Sequence, residues 1–130
     1  MRILIIDNDL STVTTLEALL LSEGNFQIEV ASGGQEGLDK MMLNPTYNVV
    51  LIDIMMPEMS GMDVCRAMTQ NPRLAKIPVL LMSSALPLPP EEFLESLKRS
   101  PDLKVIKGVL EKPFTSTDLV SKIYKTGGVL

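Results

Sequence analysis

The chain has 130 residues, 45% of them hydrophobic and 22% charged, which is enough for one domain with a real core and too little for two. A net charge of -4 with no basic stripe argues against direct nucleic-acid binding, and no apolar run is long enough to span a membrane. The absence of histidine excludes His-ligated zinc, Ser-His-Asp catalysis and phosphohistidine on this chain, and one cysteine excludes an internal disulfide.

The N-terminal residues enter a strand directly, with no signal-like segment before it, so a cytoplasmic location is expected. That strand is Arg2 to Ile6, followed by Asp7, Asn8 and Asp9. Ser11 or Asp9 can cap a helix in which Val13, Leu16, Leu19 and Leu20 recur at helical spacing until Gly24. Phe26 to Ala31 alternates as a strand with one face less buried. Gly33 and Gly34 open a helix carrying Leu38, Met41 and Met42, which stops before Asn44 and Pro45.

Val49 to Gly61, VVLIDIMMPEMSG, is the centre of the pattern. Its apolar run is that of a strand buried on both faces in a parallel sheet, and it ends in one carboxylate, Asp53. Ser60 then caps a helix through Met62, Cys65 and Met68, a spacing that makes Cys65 a core thiol. A fourth strand, Pro78 to Met82, ends in Ser83 and Ser84. After the bend LPLPP a helix starts near Pro90 with Glu91 and Glu92 in its first turn. Val105 to Leu110 is the fifth strand, with Lys112 and Pro113 just beyond it. Thr115 and Asp118 form an acidic capping box for a last helix with Leu119, Val120, Ile123 and Tyr124 on one face.

Five βα units in one domain, residues 1–130, predict an α/β fold: a (βα)5 doubly wound parallel sheet of flavodoxin-like strand order 2-1-3-4-5. All strand ends then lie on one edge, where such sheets bind ligands. This edge gathers Asp7, Asn8, Asp9, Asp53, Ser83 and Lys112. Two carboxylates about 4 Å apart repel by roughly 4 kcal/mol at an effective dielectric near 20, so a cation is expected between them. Hard oxygen ligands that leave room for water suit Mg²⁺ or Mn²⁺. A carboxylate can be the nucleophile toward phosphorus, and phosphoryl transfer needs mainly positioning and charge neutralisation, which a metal, a lysine and a hydroxyl supply.

The segments ILIIDND, LIDIMMPEMSG, PVLLMSS and EKPF together resemble the receiver domain of two-component response regulators, over nearly the whole chain. The resemblance implies Asp53 as phosphoacceptor, Asp7 in the acidic metal-binding pair and the backbone carbonyl of Met55 as a further metal ligand. It implies Ser83 as the switch hydroxyl, Lys112 as the phosphoryl counter-charge and a cis bond between Lys112 and Pro113. The implied partners are a histidine kinase or phosphotransfer protein as donor, and a downstream protein target or output domain. A homodimer through the fourth and fifth helices is also implied.

Three positions depart from the family pattern. Asn8 stands where the second metal-binding carboxylate is usual, which should lower metal affinity unless Asp9 substitutes for it. Val109 occupies the place of the aromatic switch residue. The segment between Ser83 and Lys112 is long and contains LPLPP, which bears on the shape of the fourth helix. Asn8 and Val109 motivate a second expectation, a phosphorylation-independent pseudo-receiver that acts by protein contact. A third, a haloacid dehalogenase-type phosphatase with Asp7 as nucleophile, Asp9 as acid/base and Ser83 in the second motif, lacks a later acidic pair and room for a cap. With no output domain after the last helix, a single-domain regulator and an excised receiver are both open.

Overall fold

A computed structural model describes residues 1–128. Strands β1 (Arg2–Ile6), β2 (Gln27–Ala31), β3 (Val49–Asp53), β4 (Val79–Ser83) and β5 (Ile106–Glu111) form one parallel sheet in the order β2-β1-β3-β4-β5. Between and after them come α1 (Leu10–Ser22), α2 (Gly34–Leu43), α3 (Gly61–Thr69), α4 (Pro90–Leu97) and α5 (Ser116–Thr126). The expected fold class is therefore the observed one.

Strand side chains alternate between two cores because successive residues point to opposite faces of a sheet. Ile3, Ile5, Val49, Leu51, Leu80 and Met82 pack on one side with α1 and α5 residues such as Leu16, Leu20, Leu119 and Ile123. Leu4, Ile6, Val50, Ile52, Val79 and Leu81 pack on the other with Met41, Val64, Met68 and Leu97. Every residue of β3 and β4 is buried, so these two strands form the rigid middle of the sheet.

Local chemistry sets the helix ends. Asp9 rather than Ser11 caps α1, accepting from the Ser11 N–H at 3.2 Å. Ser60 with Asp63, and Thr115 with Asp118, form complete capping boxes on α3 and α5. Cys65 is fully buried and its thiol is pushed up to about 12 by burial, in keeping with a core role.

Some boundaries differ from expectation. β2 starts at Gln27, because Phe26 turns into the core, where its ring lies 5.7 Å from that of Tyr124. β4 and β5 each run one residue further at their C-terminal ends, to Ser83 and Glu111, which draws Ser83 into the sheet itself. The long segment after β4 makes only an eight-residue α4, followed by a 3-10 turn at Pro101–Leu103 whose Leu103 plugs the core.

Gly61 ties the central strand to α3. A Cβ there would lie 2.5 Å from the Asp53 carbonyl oxygen and 2.9 Å from the Ile54 Cα, both backbone atoms that cannot swing aside. Gly61→Ala should therefore cost about 2 kcal/mol of stability in urea unfolding. Gly33→Ala, where a Cβ meets nothing within 4 Å, should change it far less.

Candidate functional site

Parallel pairing of β1 with β3 sets Ile6 beside Ile52, so the residues that follow them, Asp7 and Asp53, emerge side by side at the same edge. Asp7 continues the row of Ile3 and Ile5, and Asp53 that of Val49 and Leu51, which aims both carboxylates to the same side of the sheet. Both are buried, at 1% and 8% exposure, where an ordinary surface acid would be in water.

Lys112, just past β5, supplies the opposite charge. Its ammonium lies 3.7 Å from Asp7 Oδ2 and 3.9 Å from Asp53 Oδ2. These are ionic distances and too long for hydrogen bonds. Asp7 Oδ2 consequently has no hydrogen-bond partner although it is fully buried. Asp7 Oδ1 accepts from the Asp9 N–H at 2.9 Å, and Asp53 Oδ1 accepts a long bond from the Met55 N–H at 3.3 Å.

Burial, and then the neighbouring Asp7 charge, raise the Asp53 pKa above the ordinary carboxylate value, with Lys112 and the Met55 N–H offsetting part of the effect. A buried carboxylate oxygen without a hydrogen-bond partner, beside a second acid, has the chemistry to take a cation. The donor set thus fits a hard divalent ion. Among the described residues, no three or more acidic, His or Cys side chains converge, so two carboxylates and neutral oxygens would have to hold it.

The remaining expected residues are placed as follows. Asn8 is exposed and lines an open cleft of about 500 Å³ with Gly33, Gly34, Met56, Pro57 and Met59. Asp9 is committed to α1, where Oδ2 accepts from the Thr12 hydroxyl at 2.7 Å, and this bond is the main cause of its lowered pKa. Met55 has an exposed side chain, 73% accessible, on the loop that leaves Asp53. Ser83 is buried, and its hydroxyl oxygen accepts from the Ala85 N–H at 3.1 Å. Val109 is buried on the α4 side of the sheet, in the core against which Phe93 and Leu94 of α4 pack.

Backbone bonds join three of the strand ends that carry the site, those of β3, β4 and β5. The Ile54 N–H donates to the Met82 carbonyl at 3.0 Å and the Lys112 N–H to the Ser83 carbonyl at 2.8 Å, and the Lys112–Pro113 bond is cis. The loop after Asp53 is shaped by Glu58 at φ 66° and a Met59 N–H to Pro57 carbonyl bond of 2.7 Å, then closed by Gly61 donating to the Ile54 carbonyl at 2.9 Å. Gly61 and Thr12 are the residues that sequence reasoning did not assign to the site. The glycine was visible within LIDIMMPEMSG, but its contact with the Asp53 carbonyl needs the folded loop, and the Thr12 bond needs the geometry of the first turn.

Comparison with known proteins agrees with this fold. The response regulator receiver domain family matches residues 3–124. The cell cycle transcriptional regulator CtrA of Caulobacter vibrioides is 30% identical over 126 residues, which cover 95% of this chain and 49% of that protein. The chain thus spans about half the length of such curated relatives. A putative response regulator from Chloroflexus aurantiacus has the same fold, with a TM-score of 0.80 at 21% identity over 98% of this chain and 97% of that one. The receiver domain of a sensor histidine kinase from Pseudomonas aeruginosa superposes with a TM-score of 0.76 at 18% identity, over 98% of this chain and 97% of that one. By the family match, the sheet order and the strand edge that gathers Asp7, Asp53, Ser83 and Lys112, this chain belongs to the response regulator receiver domain family of two-component signalling.

Proposed function

We propose that the chain is a phosphoacceptor switch in which Asp53 takes a phosphoryl group from a histidine kinase or phosphotransfer protein. The observation that carries this is the placement of Asp53 at the sheet edge, with the unsatisfied Asp7 Oδ2 and the Lys112 ammonium within ionic reach of one another. In the transfer an Asp53 carboxylate oxygen forms the new bond to phosphorus while the bond to the donor nitrogen breaks and the imidazole leaves. The Lys112 ammonium is placed to pair with the phosphoryl oxygens. The Ser83 hydroxyl, one residue past the Met82 that pairs with Asp53, is placed to donate to the same group once turned from Ala85.

Asp7, Asp53, the Met55 carbonyl and the Asn8 amide oxygen are the groups proposed to hold Mg²⁺, with Asp9 reserved to the helix cap. The superposed Pseudomonas receiver is described with a magnesium ion coordinated in its active site cleft, which supports the same ion here. Bound there, Mg²⁺ would neutralise charge on the phosphoryl oxygens. Ionisation of Asp53 at neutral pH, with its proton lost to solvent, is what makes it nucleophilic.

The phosphoryl group adds charge beside Ser83 and thereby biases the loop into α4. Output then passes to a protein target or an attached output domain. Val109 fills the core under α4 with a small side chain, so repacking of α4 itself, including Phe93, is the proposed route in place of an aromatic rotation. Pairing of two copies through α4 and α5 belongs to the same proposal. Among the described residues no helix is long and apolar enough to cross a membrane. Action in the cytoplasm beside a kinase domain belongs to the same proposal.

Incubation with acetyl phosphate and Mg²⁺ should add one phosphoryl group by intact mass. The gain should vanish in Asp53→Asn and when EDTA removes the metal. A folded wild type that gains nothing at any Mg²⁺ concentration would favour a pseudo-receiver instead.

The raised Asp53 pKa gives a second expectation. The folded state holds the Asp53 proton to higher pH than the unfolded chain does, so ionised Asp53 lowers stability at neutral pH, and the loss disappears as pH falls through the raised value toward about 4. In EDTA at pH 7, Asp53→Asn should therefore raise the thermal midpoint, and the gain should shrink on acidification.

A further inference from the structure

The bend LPLPP, residues 86–90, lies between β4 and α4 and outside the acidic site. Its last two prolines serve the helix: Pro90 is the first residue of α4, and the Pro89 carbonyl accepts from the Phe93 N–H at 2.9 Å. Pro87 and Leu88 have no such part in α4. Leu86 packs partly buried against the core, and from it Pro87, Leu88 and Pro89 run along the surface, with Leu88 42% exposed. An exposed leucine alone is ordinary, but this one is fixed between two prolines.

The backbone there has the shape of a ligand. Pro89 stands at φ −53° and ψ 149°, in the polyproline II region, and the ring of Pro87 fixes its own φ. Proline lacks an N–H, and among the described residues no backbone N–H donates to the carbonyls of Leu86, Pro87 or Leu88. These carbonyls are acceptors on a stretch with little conformational freedom to lose on binding. Segments with prolines spaced as Pro87 and Pro90 are bound in grooves lined by aromatic side chains, whose indole N–H and phenol O–H groups can donate to such carbonyls.

The helix that follows adds a charge. Leu88 lines an open cleft of about 450 Å³ with Glu91, Glu92, Glu95, Ser96 and Arg99, the last reaching it from beyond the C-terminal end of α4. Glu91 is paired with Lys122 at 2.7 Å and Glu95 with Lys98 at 3.1 Å. Glu92 is exposed, and among the described residues it has no ion-pair partner. An unpaired carboxylate directly after the prolines is complementary to a lysine or arginine on the rim of a groove.

We propose that Pro87 to Pro90 is a docking segment, bound as a polyproline II ligand in an aromatic-lined groove of a partner protein that carries a basic residue at its rim. Pro87 and Leu88 supply the apolar contact, the carbonyls of Leu86, Pro87 and Leu88 accept from the aromatic donors, and Glu92 fixes the direction in which the segment lies. The assignment rests on the segment itself and not on the acceptor role of Asp53.

The test places the photo-crosslinking residue p-benzoylphenylalanine in place of Glu95, in the same cleft as Leu88, in the full chain incubated with a lysate of its source cells. Mass spectrometry identifies the crosslinked protein and maps the attached residues, and calorimetry then titrates the purified partner with wild type and variants. Attachment beside Trp, Tyr or Phe side chains with Lys or Arg next to them is expected. Pro87→Ala and Leu88→Ala should each weaken binding about tenfold, and Glu92→Lys about fivefold, with unchanged thermal midpoints because all three positions are exposed.

No crosslinked protein, attachment away from aromatic side chains, or full affinity in both Pro87→Ala and Leu88→Ala would overturn the docking role. Should Pro87→Ala shift the thermal midpoint, Leu88→Ala decides alone. Docking as described by a chain that takes up no phosphoryl group leaves the docking segment and removes the acceptor role. Phosphoryl uptake by a chain that fails the crosslink and the titration removes only the docking segment.

Discussion

Two carboxylates brought together in a buried edge are the constraint on which the rest of this structure depends. β1 and β3 are adjacent and parallel, so the residues that leave them meet whether or not their charges favour it. The apolar rows behind them, fully buried on both faces of the sheet, supply the stability that holds the acids in place. Their repulsion is relieved only in part, because the nearest cation stands beyond hydrogen-bonding distance of either. Such local dissatisfaction inside a well-packed scaffold is typical of a binding site.

The loops at that edge are braced from several directions. The turn at Glu58, the close approach of Gly61 to the Asp53 carbonyl and the bonds that Ile54 and Lys112 donate to the Met82 and Ser83 carbonyls fix the backbone while Asp7 Oδ2 stays unbonded. Under the proposed function, a phosphoryl group arriving at Asp53 would therefore meet a braced acceptor loop. The adjustable parts lie one strand over, at the Ser83 hydroxyl and the Ala85 N–H it engages, from which the chain leads through LPLPP into a short α4.

The three departures from the family pattern differ in position. Asn8 is exposed in the open cleft next along the chain from Asp7, where a change of charge acts little on folding. Val109 sits in the core beneath α4, where its size acts on packing and on how α4 responds. The long segment before β5 is absorbed by the 3-10 turn at Pro101–Leu103, which buries Leu103 and leaves the sheet order undisturbed.

Periodicity and punctuation in the sequence determined the element order and the parallel sheet, because each βα unit announces itself by a buried apolar run, a cap and a breaker; the strand order 2-1-3-4-5 is the natural layout for such units, and it is the one observed. They also determined that Asp7, Asp53 and Lys112 would share one edge, since topology alone places strand ends together. Only the tertiary structure decided that Asp9 caps α1 and is bonded to Thr12, that Asp7 keeps an unbonded oxygen, that Gly61 packs on the Asp53 carbonyl, and that Phe26 leaves β2 for the core. Those outcomes turn on distances of a few tenths of an ångström between groups far apart in the chain. Spacing along a sequence carries strand registers and helix faces, but not which of two nearby acids turns toward a lysine and which toward its own helix.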